Sequence, residues 1–142
     1  MSFHRYDPKR HTFIFGLVPI SGFGENAMWT IEESGPLYTL KTGCDGDHSR
    51  SKNLARSALI TVSLMNTSLS NAYFSGIVEA GLASDGGSDV VPVLAKDGNG
   101  TSVFVAGQSW IEERPKPTKG KEATENEWKI RAIDYTFFEG GT

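Results

Sequence analysis

The sequence predicts a mainly β fold with one α-helix. Three observations predict it. Most apolar residues sit in short runs broken by turn residues, and 16 of the 142 residues are glycine. Residues 57–65 alternate with period two: Ala58, Ile60, Val62 and Leu64 on one face, Ser57, Leu59, Thr61, Ser63 and Met65 on the other. That is the pattern of a strand buried on one side. Only after it does the spacing change to three and four, through Leu69, Ala72, Tyr73, Gly76, Ile77 and Ala80. Such spacing gives one apolar helical face. A single helix among many strands plugs the open face or end of a sheet.

The elements follow in order. Residues 1–10 read as a polar, basic arm, with Pro8 stopping any helix. Residues 11–18 form a strand apolar on both faces, which needs cover on both sides. Ser21-Gly22-Phe23-Gly24 is a turn. Residues 27–33 alternate, Ser34-Gly35-Pro36 turns the chain, and 37–42 returns, so 27–42 reads as a hairpin. Residues 43–56 read as a long polar loop. Asn66 to Asn71 is rich in side chains that cap backbone N–H groups, so the helix begins there, with Gly81 as its C′ residue. Val90 to Ala95 is a short strand, and Pro92 argues for an edge. Asp97-Gly98-Asn99-Gly100 is a turn. Long strands follow at 102–111 and 128–138. The apolar phase of the last shifts near Ala132-Ile133, which hints at a bulge. Between them lies an extended, charged, proline-bearing loop over 114–126. No repeat or boundary divides the chain, so 1–142 reads as one domain.

Composition excludes several classes. Fourteen basic and 17 acidic residues leave a net charge of −3, unlike a protein that neutralises phosphates. The first ten residues hold no apolar run, so no signal peptide is expected, and no segment approaches the ~18 apolar residues of a membrane span. The lone Cys44 excludes an internal disulfide and reads as a packing residue beside a strand.

Candidates for chemistry are few. Asp45 and Asp47 resemble the start of a calcium loop, but Arg50 and Arg56 stand where its glycine and glutamate belong, so a solvated turn is the better reading. Cys44 and His48 lack a third group to orient a base. His4 and His11 lack metal-ligand spacing. Glu32-Glu33 and Glu112-Glu113 each send their carboxylates to opposite strand faces, so neither pair makes an acid–base dyad. No catalytic residue, metal or cofactor is expected.

An ordered set of features runs along nearly the whole chain: Tyr6-Asp7-Pro8-Lys9, Ile20-Ser21-Gly22-Phe23, Gly43-Cys44-Asp45-Gly46 followed by Arg50-Ser51, Thr67-Ser68-Leu69-Ser70-Asn71 after a strand, Lys96 to Gly100, Trp110-Ile111 and Glu127-Trp128. This set resembles the tail tube proteins of bacteriophages, especially contractile-tailed ones, with Cys44 at a position usually alanine-like. The resemblance implies a tail-tube-like subunit, a β-sandwich or barrel-like fold with one helix, whose copies, six to a ring, stack into a tube that conducts the genome. It implies a virion protein made in the host cytoplasm. Its partners would be itself, the tail sheath, the baseplate or tube initiator, and the tail terminator. DNA would pass the lumen without specific binding. A tube initiator, cap or terminator of the same fold, or an unrelated β-sandwich binding module, are the alternatives.

Placed on this chain, the resemblance yields residue-level expectations. The hairpin 27–42 and the strand 57–65 would line the lumen through Thr30, Glu32, Thr39, Lys41, Thr61 and Ser63, while Trp29, Ile31, Tyr38, Leu40, Ile60 and Val62 pack against the helix. The loops 43–56 and 114–126 would join subunits, with Arg50, Lys52 and Arg56 meeting Glu112, Glu113 or Glu122. The arm would order on assembly by burying Phe3 and Tyr6 on a neighbour.

Overall fold

The structure of the chain, a computed structural model, describes residues 8–25, 28–84, 86–98, 101–117, 120 and 124–140. A 3-10 turn (Pro8–Arg10) leads into β1 (His11–Phe15) and the short β2 (Val18–Pro19). Next come β3 (Trp29–Glu33), β4 (Tyr38–Thr42), β5 (His48–Lys52) and β6 (Ala58–Met65). The helix α1 (Ser70–Leu82) precedes β7 (Val91–Asp97), β8 (Val103–Glu113) and β9 (Glu125–Phe138). Seven strands form one antiparallel sheet in the order β2-β1-β7-β8-β9-β6-β3, and β4 and β5 form a separate pair. The architecture is mainly β with one described helix, as the alternation predicted.

β6 supplies the centre of the core. Ala58, Ile60, Val62 and Leu64 are all fully buried. They face Phe13 and Phe15 of β1, Val93 and Ala95 of β7, and Trp128, Ile130 and Ala132 of β9 in one cluster. The sheet curls until its far strands meet. Trp29 of β3 lies 5.4 Å, ring to ring, from Phe13 of β1. Residues 22–24 then extend the β6 edge: Gly24 N–H donates to Ser63 O, and Met65 N–H to Gly22 O, each at 2.8 Å.

A corner crosses β7, β8 and β9. In β8 the buried positions run Phe104, Ala106, then Ser109; in β9 they run Trp128, Ile130, Ala132, then Tyr135. Both strands change parity together, at the paired Gln108 and Ile133. Asp134 adopts φ 52° there, a left-handed conformation that aspartate tolerates better than most residues. The shifted phase of the last strand is therefore real, but pairing keeps its register through it; the irregularity between β8 and β9 lies at Ile111/Glu113 instead. Pro92 sits at the same corner on β7. That strand is central, between β1 and β8, and not an edge. Its register with β8 shifts between Val91 and Val93, so the missing N–H of proline falls at an irregularity. The Pro92 carbonyl accepts from Gly16 N–H at 2.8 Å.

The expected strand 11–18 is broken at Gly16, whose φ is 71°. Phe13 and Phe15 are buried, but Leu17 is 93% exposed and needs no cover. A Cβ at Gly16 would meet Tyr73 Oη at 2.8 Å. That hydroxyl donates to Phe15 O at 2.7 Å. Gly16→Ala combines a left-handed penalty with loss of this contact, and an urea titration should show a destabilisation of about 1–3 kcal/mol.

The helix is present, but its buried face is turned from the expected one. Phe74 and Ser70 are buried; Tyr73, Ile77 and Val78 are half-buried. Leu69, Ala72, Gly76 and Ala80 are exposed. Phe74 packs edge-on against Phe15 and Trp128, at 5.5 and 5.2 Å. The Trp128 indole N–H donates to Asn71 Oδ1 at 2.9 Å. Gly81 lies within the helix, which ends at Leu82 with Ala83 capping it.

Candidate functional site

The expected hairpin over 27–42 does not form, and Ala27 lies outside the described residues. β3 pairs with β6, Trp29 opposite Val62 through Glu33 opposite Ala58. Ser34 N–H continues that ladder to Ser57 O at 2.8 Å. After a break at 35–36 and 54–56 the same two chain runs pair again, first by Asn53 N–H donating to Leu37 O at 2.9 Å, then as β4 and β5, Tyr38 opposite Lys52 through Thr42 opposite His48. Residues 29–62 are thus one long ribbon. Its returning strand β5 lies in the segment 43–56 expected to be a loop, whereas β4 was expected as a strand but with β3 as its partner.

All ten residues of β4 and β5 are exposed. The ribbon turns at Gly43–Asp47, where Gly46 N–H donates to Gly43 O and Gly43 N–H to Asp47 O, at 3.0 and 2.7 Å. Gly46 has φ 90°, open to glycine at little cost. Cys44 is exposed at this tip and is not a packing residue. Opposite partners share a face, so Tyr38, Leu40 and Thr42 lie with Lys52, Arg50 and His48. Arg50 stacks over the Tyr38 ring at 4.2 Å. The other face carries Thr39, Lys41, Ser49 and Ser51.

The base of the ribbon is tied down. Asn53 Nδ2 donates to Pro36 O at 3.0 Å. Arg131 donates to Glu112 Oε2 at 2.6 Å and to Ser34 Oγ at 2.9 Å. Arg56 lies 3.8 Å from Glu33 and 4.7 Å over the Tyr135 ring, and Tyr135 donates to Glu33 Oε2 at 2.7 Å. Burial first, then the bond to Glu33, raises the Tyr135 hydroxyl above its ordinary pKa of 10.0; burial alone raises Tyr73. Folding therefore favours the neutral phenols. Their contribution is complete below the unfolded value and lost as pH rises through the raised folded values. Thermal melts should fall above pH 10.0, and Tyr135→Phe should make that fall shallower.

Thr30 opposes Thr61, and both share the outer face of the sheet with Glu32 and Ser63. Thr30 and Glu32 are exposed, Thr61 and Ser63 half-buried. Thr39 and Lys41 stand apart, on the projecting ribbon. Trp29, Ile31, Ile60 and Val62 belong to the inner cluster, whereas Tyr38 and Leu40 are exposed and do not pack against the helix. Arg50 and Lys52 are on the ribbon. Arg56, Glu112 and Glu113 have partners within the chain: Glu33, Arg131 and Lys129. Phe3, Tyr6 and Glu122 lie outside the described residues. Of the extended loop, residues 125 and 126 belong to β9, and Arg114 reaches Glu79 at 2.7 Å.

A second feature was not expected. A cleft of about 550 Å³ opens at the end of the curled sheet away from α1. Trp29, Ile31, Phe104 and Phe137 line it, with Phe138 at its mouth 57% exposed. Glu25, Asp97 and Glu139 bring carboxylates to it against Lys96. His11 Nε2 lies 3.5 Å from Asp97 Oδ1 in its wall.

No family model matches the chain. It is 27% identical over 122 residues to structural protein ORF10 of Pseudomonas phage KPP10, covering 86% of this chain and 70% of that one. A chain of the anti-feeding prophage tube-terminating cap superposes with a TM-score of 0.64 at 10% identity, over 97% of this chain and 93% of that one. The two chains share a fold. A chain of the native gene transfer agent virion also superposes at 0.64, with 13% identity over 95% of this chain and all, 100%, of that one.

The ribbon escaped sequence reasoning because His48-Ser49-Arg50-Ser51-Lys52 has no apolar alternation. The usable signal was Gly43-Cys44-Asp45-Gly46, a turn set between two polar runs of similar length. The cleft gave no local signal, since its lining comes from β1, β3, β7, β8 and β9, strands far apart in sequence.

Proposed function

We propose that the chain is a structural subunit of a phage-type tail tube whose copies join into rings and stacks. The observation that carries this reading is the projecting ribbon. A two-stranded ribbon exposed along its whole length is marginal alone and gains stability from a partner. A similar fold in a tube-terminating cap, over 97% of this chain, supports a tail component. The edge strands β2 and β3 leave unpaired backbone groups that a neighbouring copy can cover.

In this reading the outer face of β3 and β6, with Thr30, Glu32, Thr61 and Ser63, lines the lumen. Thr39 and Lys41 reach it only if the ribbon bends along the same wall. A net charge of −3 suits a wall that lets DNA pass without holding it. Rings of six, a sheath outside, and an initiator and terminator at the tube ends belong to the same proposal. The likeness to the cap favours a second reading, a cap or terminator. Negative-stain microscopy of the purified protein separates them. Stacked rings or tubes of constant bore are expected; one discrete ring supports the cap, and monomers at high concentration overturn both.

A further inference from the structure

The ribbon and the cleft are complementary, and we propose that the ribbon of one copy seats in the cleft of the next. The inference rests on self-assembly and names the surface that receives the ribbon. One ribbon face presents Tyr38 and Leu40, with Leu40 68% exposed, beside Arg50 and Lys52. The cleft has an aromatic and aliphatic floor and two exposed carboxylates, Glu25 and Glu139, beside Lys96; Asp97 is buried against His11 in its wall. Each surface supplies what the other lacks: apolar groups without cover on both sides, and opposite charge around them. Its volume of about 550 Å³ falls in the range that takes a buried ligand of two or three large side chains.

The occupant is a second copy, because within one chain the ribbon is exposed and so does not fill the chain's own cleft. The contact is heterologous, ribbon to cleft, and therefore repeats from copy to copy. Tyr38 would be the anchor, an aromatic ring entering an apolar pocket at the centre of the contact. Arg50 and Lys52 would meet Glu25 and Glu139 at the rim, where charge sets partner choice and rate.

Charge exchange tests it. One chain carries Arg50→Glu and Lys52→Glu; the other carries Glu25→Lys and Glu139→Lys. All four positions are exposed, so each chain should melt like the wild type. Sedimentation velocity should show association of either chain alone weakened by about tenfold or more, because like charges then face each other. Mixing the two restores opposite charge at every contact between unlike chains and should restore assembly with the two alternating. As a second readout, Leu40→Cys and Val103→Cys in a Cys44→Ser background should give disulfide-linked oligomers on oxidation. Wild-type assembly by either charge variant alone, no recovery on mixing, or linkage confined to monomers overturns the seating while leaving self-assembly standing. A wild-type chain that stays monomeric overturns both.

Discussion

Phe74→Ala is expected to cost about 3–5 kcal/mol, the usual range for a buried phenylalanine, and to lower the melting temperature by roughly 10 °C or more. Phe74 is fully buried and is the only large apolar side chain of α1 that is. It touches Phe15 of β1 and Trp128 of β9, so it joins the helix to two strands that are not neighbours in the sheet. The remaining apolar contacts of the helix come from half-buried Tyr73, Ile77 and Val78. Truncation leaves a cavity where the helix meets the sheet, and the helix has no second anchor of that size. Ile77→Asp would also destabilise, but less than a charge at Phe74, since Ile77 keeps contact with water. Leu69→Ala is the control. Leu69 is 89% exposed, and its loss should stay within about 0.5 kcal/mol. Calorimetric melts of the three variants check the ranking. A Phe74→Ala chain that melts like the wild type would mean that the helix is not anchored there.

Removing the ribbon should abolish assembly and leave the fold. Residues 36–55 would be replaced by an Asn-Gly turn between Gly35 and Arg56, which continue the register of Ser34 and Ser57; this is the loop type suited to an antiparallel pair. No residue of β4 or β5 belongs to the core, so little buried area is lost. The ladder from Trp29–Val62 to Glu33–Ala58, the Ser34–Ser57 bond and the Tyr135–Glu33 bond all remain. The expected result is a soluble chain whose melting temperature moves by only a few degrees. Electron micrographs of it should show no rings or tubes at concentrations where the wild type forms them. Assembly at wild-type yield would show that other surfaces join the copies. Deleting 115–125 is the matching experiment on the second long connection, and it should act more weakly, because that segment includes the start of β9 and carries no apolar stripe.

The sequence by itself determined the β class, the strand at 58–65, the single described helix after it and the polar outer face of Thr30, Glu32, Thr61 and Ser63. Each of these follows from periodicity, which is local and needs no knowledge of neighbours. The tertiary structure decided three things that no local pattern carries. It set which helical face is buried: Phe74 meets Phe15 and Trp128, residues far away in sequence, and that contact outweighs the row through Leu69 and Ala80. It placed Pro92 in a central strand, because a corner shared with β8 and β9 relieves the missing N–H. It made residues 48–52 of an expected polar loop into the strand that pairs with β4, because β3 and β6 pair beside them and the same two runs continue past Ser34 and Ser57. In each case a contact made between distant residues outweighed a preference of a few tenths of a kcal/mol per residue, which is all that local propensity supplies.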